Sequence, residues 1–166
     1  MDRKTRCWAV VALFLAAGWG AADAAPRYRM SLDVDYAAGT YSGEVAIDYA
    51  NGADIAQTEV FFRLYGNADA LYGAASIVVT SADVGGQSVS PSLYADDTVV
   101  FVPLPSPLAP GDATEIVLRF EGSAARLGPT GFATDSEYGL LTRSDRMLPL
   151  TAFYPILAPY TSEGWA

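Results

Sequence analysis

The chain has 166 residues, with 10 Lys and Arg against 19 Asp and Glu, one Cys and no His. The absence of His excludes Ser-His-Asp and Cys-His nucleophile pairs, His-ligated zinc and an imidazole proton shuttle. The net charge of −9 argues against a nucleic-acid partner, because phosphate binding needs clustered Lys and Arg. Three classes of function remain: carboxylate chemistry, a binding role, or one part of a larger protein.

Residues 1–24 have the layout of a secretory signal peptide. A mainly basic stretch (2–6) precedes an apolar stretch (7–20), which is shorter than the about 20 residues that span a bilayer, and Ala22-Asp23-Ala24 matches an A-x-A cleavage site. The alternatives are an uncleaved anchor and a buried helix. Cleavage predicts one exported domain, residues 25–166, that is periplasmic or extracellular and free of the membrane. Without Cys, this domain depends on its core rather than on disulfides.

Residues 28–36 and 41–49 are predicted to form an antiparallel hairpin, because apolar and polar residues alternate in both. Gly39 lies in the short connection between them and permits a tight turn. One face of the first strand should be half-buried. Its residues are Tyr28, Met30, Leu32, Val34 and Tyr36.

Runs of strand length continue along the chain, separated by turn residues. They are residues 58–65, 76–84, 87–90, 98–102 and 114–121, followed after a Gly- and Pro-rich stretch (122–137) by apolar segments at 138–142 and 148–157. No run after residue 25 has the pattern of a helix of three turns. The sequence therefore predicts an all-β domain, a twisted and mostly antiparallel β-saddle or sandwich.

Two segments depart from simple alternation. Residues 58–65 are apolar on both faces except at Arg63, which predicts a strand that is covered on both sides or faces another domain. Residues 103–112 are rich in Pro and are expected to form an extended connection that ends in the turn at Pro110-Gly111, since Pro is excluded from central strands.

Few residues suggest chemistry. Asp96 and Asp97 are an acid pair of the kind used in glycoside hydrolysis, but neighbouring residues before a strand point to opposite sides, and acids are common in turns. Asp33, Asp35 and Asp48 lie on the polar face of the first hairpin and offer oxygen ligands for Ca²⁺. Because the sequence has no D-x-D-x-D-G loop, a solvated face is favoured there.

Gly122, Gly128 and Gly131 do not form a phosphate loop of the G-x-x-x-x-G-K type. The aromatic residues near the end of the chain either line a ligand site or, as is more frequent, pack in a core or interface. They are Phe153, Tyr154, Tyr160 and Trp165. The residue pattern alone assigns no catalytic, substrate-binding or metal-ligating residue.

A series of short motifs runs from residue 28 to residue 165. They are residues 28–35, 43–51, 59–67, 104–111 with the strand ending Arg119-Phe120, 126–128, and 153–160 with Gly164-Trp165. Their order and spacing resemble the N-terminal β-domain of the aminopeptidase N-like zinc metallopeptidases, and most of all its exported bacterial branch. The segment 59–67 is similar to the family's FRLYPN motif, with Gly66 in place of Pro.

The resemblance implies a β-saddle that packs on a thermolysin-like catalytic domain of the same or an adjacent polypeptide. In that family the saddle covers the active-site cleft and helps to bind the amino end of a peptide substrate. Zinc is expected only in the catalytic domain, on H-E-x-x-H and a downstream Glu, with a G-x-M-E-N loop upstream. This chain has neither motif, so we expect an N-terminal domain fragment, truncated before the catalytic domain and inactive alone.

One departure concerns the amine site. In many relatives the β-domain supplies Gln or Glu to it, about nine residues before the Pro that Pro155 would match, but counting back reaches Arg146, whose guanidinium cannot accept a hydrogen bond from an ammonium group. Asp145 is the adjacent acid.

Two other functions are compatible with the sequence. One is a stand-alone secreted β-sandwich that binds a protein, peptide or glycan. The other is a carboxylate hydrolase acting through Asp96 and Asp97. A domain cut from its catalytic partner should expose an apolar patch larger than a few hundred Å², whereas a stand-alone module should not.

Overall fold

The computed structural model describes residues 25–68, 75–126, 141–144 and 148–166. The predicted signal peptide (1–24) lies outside these ranges, as do Gly128, Gly131, Asp145 and Arg146. Within them the chain forms β-strands and one short 3₁₀ turn, Tyr65–Asn67. In chain order, the strands are β1 (Arg27–Asp35), β2 (Thr40–Ala50), β3 (Gln57–Arg63), β4 (Ser76–Val84), β5 (Gln87–Val89), β6 (Ser92–Tyr94), β7 (Val99–Leu108), β8 (Ala113–Ser123), β9 (Ala125–Arg126), β10 (Thr142–Arg143), β11 (Ile156–Leu157), β12 (Tyr160–Thr161) and β13 (Gly164–Trp165).

Most of these strands belong to two antiparallel sheets. Sheet A has the order β1-β2-β8-β4-β5, and sheet B has the order β11-β3-β7-β6. Strands β9 and β10 form a short parallel pair, and β12 and β13 form a short hairpin. The prediction of an all-β, mostly antiparallel fold is confirmed.

The core lies between the two sheets and follows from the period-2 patterns. In sheet A, Val45 and Leu118 are cross-strand partners and both are fully buried. In sheet B, Phe62 pairs with Val100, and these two are also buried. Each such aliphatic or aromatic side chain contributes about 1.5–3 kcal/mol through its burial. This packing is what stabilises a chain segment that has no disulfide.

Strand β1 is less buried than its alternating pattern predicts. Tyr28 and Leu32 are partly buried against the core, but Met30 and Val34 are 38% and 46% exposed. Their cross-strand partners on β2, Val45 and Tyr41, are buried. The reason is position: β1 is the outermost strand of the wider sheet, so part of its apolar face extends past the opposing sheet.

The prediction that residues 103–112 form a connection is wrong for the first six of them, because β7 continues to Leu108. Strand β6 pairs with β7 only as far as Phe101, so beyond that point the only described strand that pairs with β7 is β3, through an irregular register. Pro is tolerated where one side of a strand carries no ladder. The rest of the prediction is confirmed, since Gly111 adopts φ 83° in a turn.

Gly122 lies in β8, directly opposite Tyr41 on β2. A Cβ atom at this glycine would overlap the Tyr41 ring, with 2.6 Å to Cε2 and less to Cζ and Oη. The absence of a side chain therefore lets the tyrosine lie flat over the neighbouring strand. Burial raises the pKa of Tyr41 above its ordinary value of 10.0, and no group in the described part of the chain bonds its hydroxyl.

Candidate functional site

The acid pair Asp96-Asp97 forms the turn between β6 and β7. Ala95, Asp96 and Asp97 all have positive φ, of 53°, 53° and 62°, a region that Asp tolerates better than most residues. Thr98 closes the turn by donating its backbone N–H to the Ala95 carbonyl at 3.1 Å. The structure thus uses the pair to reverse the chain, as the turn interpretation predicts.

The predicted acids of the first hairpin have separate roles. Asp48 accepts a hydrogen bond from Arg29 at 2.9 Å, which lowers the pKa of its carboxyl. Arg29 also pairs with Glu115 across sheet A. Asp35 accepts a hydrogen bond from the backbone N–H of Ala38 and so stabilises the turn after β1. These side chains are about half exposed, and exposed ion pairs of this kind contribute little to stability.

A shallow groove of about 720 Å³ crosses the outer face of sheet A at one end. Asp33, Asp35 and Glu121 lie around it, and its floor is made of small residues such as Ser42 and Ser123. The groove is acidic and open. Among the residues that the structure describes, no three acidic, Cys or His side chains are grouped so that they could hold a metal ion.

Zinc, which the family resemblance implies, does not fit this chain. Its sequence contains no His, and a peptidase zinc site of this class needs two imidazoles from one helix and the carboxylate of a Glu further along the chain. The described residues form no α-helix on which such a motif would lie. No chemical step is therefore assigned to the metal within this chain.

The aromatic residues at the end of the chain lie together and join the two sheets. Phe153 packs edge-on against Tyr41, with ring centroids 5.8 Å apart, and Tyr154 packs against Tyr28 at 6.0 Å. Both partners belong to sheet A. These contacts fill part of the region where that sheet extends past the opposing one. We call residues 148–166 the closing segment.

The closing segment continues onto sheet B. Strand β11 pairs with β3, and the backbone N–H of Ala158 donates to the Phe61 carbonyl at 2.9 Å. Trp165 then packs against Phe61, with ring centroids 5.6 Å apart. Arg63 donates its Nε–H to the Ala166 carbonyl at 3.1 Å. The second apolar face of the segment 58–65 is thus partly covered by the chain itself, which is one of the two arrangements that the sequence left open.

The motif at residues 59–67 is structural in this chain. The amide of Asn67 donates to the carbonyls of Ile77 and Asp97, at 2.9 and 2.6 Å, and accepts from the Ile77 N–H at 2.6 Å. Gly66 is buried between Ile77 and Leu141. The asparagine therefore joins the end of β3 to β4 and to the acid-pair turn.

Asn51 is a second such residue, and in the sequence it stands out only as the last residue of the motif at 43–51. Its side chain is 1% exposed, and its amide donates to the carbonyls of Ile55 and Leu108 at 2.9 and 2.8 Å. Its position in that motif does not say whether the side chain is buried.

Comparisons with known proteins give a likeness in structure rather than in sequence. No family model matches the sequence, and no curated protein is a significant match to it. The crystal structure of an M1 zinc metallopeptidase mutant from Deinococcus radiodurans, bound to a Tyr-Ser-Ala substrate, matches at 23% identity and a TM-score of 0.50. This match covers 78% of the present chain and 28% of the peptidase.

What the two share is the fold. A structure of the M1 zinc metallopeptidase from the same organism matches at 24% identity and a TM-score of 0.49, covering 78% of this chain and 27% of that one. A further mutant structure gives 27% identity and a TM-score of 0.45, with coverage of 58% and 19%. The chain thus spans between 19% and 28% of the length of these peptidases. No helix in its described part is long and apolar enough to cross a membrane.

Proposed function

We propose that this chain is the N-terminal β-domain of an exported, aminopeptidase N-like zinc metallopeptidase. In the complete enzyme it packs on the catalytic domain and helps to hold the amino end of a peptide substrate. The observation that carries the proposal is the match in fold to part of an M1 zinc metallopeptidase over 78% of the chain. The ordered motifs between residues 28 and 165 support it independently.

The zinc, the general base and the substrate-anchoring loop belong to the catalytic domain in this proposal. The chain itself is inert, because it lacks every His that a metal site of this class requires. Its contribution is positional: it provides a two-sheet scaffold on which the closing segment ends in the β12–β13 hairpin, with Trp165 packed against Phe61 of sheet B.

The decisive experiment reads the encoding DNA beyond codon 166. We expect a helix-patterned region with H-E-x-x-H and a downstream Glu, in this frame or another. A stop codon with no such region nearby would contradict the proposal.

A hydrolysis assay tests whether the activity belongs to the catalytic domain rather than to this chain. The purified chain with added zinc should release no Tyr from Tyr-Ser-Ala. The product of the longer reading frame should release it, and a chelator should abolish that activity. Turnover by the chain alone would refute the proposal.

A second candidate is a stand-alone secreted module that binds a protein, peptide or glycan. One observation favours it: the chain covers the outer face of β3 with its own closing segment, through the contact of Trp165 with Phe61. A monodisperse chain that binds no hydrophobic dye would support this candidate. Strong dye binding would favour the peptidase domain, because a domain cut from its partner exposes apolar surface.

A further inference from the structure

Strand β1 has an edge that carries no neighbouring strand in the described part of the chain. Among the residues that the structure describes, it pairs only with β2, although it is nine residues long. Long strand edges with unpaired N–H and C=O groups are templates for pairing with another chain. The residues that face this edge follow from the hydrogen-bond pattern of the sheet.

The odd-numbered residues of β2 bond to β8. The ladder between these strands continues at both ends through odd residues: Asn51 donates its N–H to the Asp112 carbonyl, and the Gly39 carbonyl accepts from the Ala124 N–H. Antiparallel ladders alternate, so the even residues of β2 bond to β1. Their register partners on β1 are the odd residues, and the backbone groups of its even residues therefore face the open edge. These are Tyr28, Met30, Leu32 and Val34.

The sequence of β1 is complementary to itself when it runs antiparallel to a second copy about Ser31. Every outer-face cation then meets an anion, and every inner-face apolar residue meets another. The pairs are Arg27 with Asp35, Arg29 with Asp33, Tyr28 with Val34, and Met30 with Leu32. The even residues pair with even residues in this register, so their outward N–H and C=O groups can exchange hydrogen bonds.

Some of the charged side chains on β1 are available to form these cross-copy ion pairs. Arg27 and Asp33 form no ion pair within the described part of the chain, whereas Arg29 and Arg119 do. Each cross-copy pair thus contains one charge that forms no ion pair among the described residues. Opposite charges directly across a ladder stabilise it, and like charges destabilise it.

We propose that two copies of this chain associate through β1, antiparallel and centred on Ser31, so that sheet A continues across a two-fold axis. The pairing places apolar residues of a second copy beside Met30 and Val34, which the edge position of β1 leaves exposed in a single sheet. It also satisfies the open backbone edge of β1 in both copies at once, as an isologous contact does. This association is independent of the proposed peptidase role.

Sedimentation of the purified full chain over a range of concentrations tests the proposal. We expect a monomer–dimer equilibrium. Met30→Pro removes an outward-facing N–H and leaves the bonds to β2 intact, so it should raise the dimer dissociation constant about tenfold or more, since one hydrogen bond is lost in each copy. An unchanged circular dichroism spectrum verifies that the variant folds.

A charge variant keeps the test valid if the proline variant does not fold. Asp33→Lys places a cation opposite Arg29 of the second copy and should also weaken the dimer about tenfold. Glu121→Lys changes the net charge equally, on the central strand β8 of the same sheet, and should not weaken it. Equal effects of the two variants would overturn the proposal.

Hydrogen exchange separates a second copy from other occupants of the edge. The amides of Tyr28, Met30, Leu32 and Val34 should be protected at high concentration and exposed on dilution. Protection in a monomer would mean that another segment of the same chain covers the edge. That result, a chain that stays monomeric at all concentrations, or a dimer unaffected by Met30→Pro and Asp33→Lys would refute the proposal.

Discussion

Asn51 offers the sharpest test of how the turn after β2 is joined to the end of β7. Its side chain is 1% exposed and makes three hydrogen bonds. The amide nitrogen donates to the carbonyls of Ile55 and Leu108, and Oδ1 accepts from the N–H of Ala53 at 3.0 Å. Asn51 thereby connects the turn after β2 to the end of β7, more than 50 positions away along the chain.

Asn51→Ala removes all three hydrogen bonds and leaves two carbonyl groups without their donor. At about 1 kcal/mol for each bond, the expected loss in the free energy of unfolding is about 3 kcal/mol. With a urea m-value of about 2 kcal/mol/M, the unfolding midpoint should fall by about 1.5 M. Trp fluorescence reports the transition, because Trp165 packs against both sheets.

Asn51→Asp removes the two hydrogen bonds that the side chain donates and keeps the one that it accepts. The acceptor for Ala53 remains, but the second carboxylate oxygen meets two carbonyl oxygens. At neutral pH this variant should be less stable than Asn51→Ala, because a buried charge faces like partial charges. The same surroundings raise the carboxyl pKa in the folded state, so the deficit should shrink as pH falls toward the unfolded value of about 3.9.

Asp54→Ala is the matched control, since Asp54 is an exposed residue of the same turn. Asp54→Ala should change the free energy of unfolding by no more than about 0.5 kcal/mol. An Asn51→Ala loss below about 1.5 kcal/mol, or no larger than that of the control, would contradict this role of Asn51, because three hydrogen bonds at the low end of about 0.5 kcal/mol each sum to that value.

Three further outcomes follow from the structure. Gly122→Ala should destabilise the fold by about 1–3 kcal/mol through overpacking against Tyr41, with Tyr41→Ala in the same chain relieving the clash, as thermal unfolding would reveal through non-additivity. Trp165→Ala should expose the outer face of sheet B and increase the binding of a hydrophobic dye, and unchanged dye fluorescence would contradict the covering role of the closing segment. Arg29→Gln should raise the carboxyl pKa of Asp48 toward its ordinary value, which NMR titration can measure. Because the pKa of Asp48 is lower in the folded state than in the unfolded state, the pair stabilises the fold above the unfolded pKa, and this stabilisation is lost as the pH falls through the folded pKa.

The strands in which apolar and polar residues alternate could be predicted from the sequence, and the period of two also indicates which residues share a face. The β1–β2 hairpin and the turn at Gly85 and Gly86 are where the pattern places them. The short strand β6 has no comparable signal, because three residues are too few to show a period.

The acid pair at Asp96 and Asp97 illustrates the limit for sites. Sequence shows which groups carry charge, and turn chemistry already favoured the structural role that the two acids have in the fold. What each charge contacts is a matter of distance between strands far apart in the chain, such as that between Arg29 and Glu115. Local pattern holds no information on that distance.

The amino-acid sequence by itself determined the fold class, the absence of His-based chemistry in this chain and the motifs that resemble a peptidase β-domain. Only the tertiary structure decided what covers each apolar face. Strand β3 has its second face packed by Trp165, whereas β1 keeps Met30 and Val34 exposed. The sequence pattern predicts an extended strand with an apolar face in both cases. It indicates which side chains avoid water, but not which neighbouring element covers them. That neighbour depends on sheet order, and sheet order is set by contacts between distant parts of the chain.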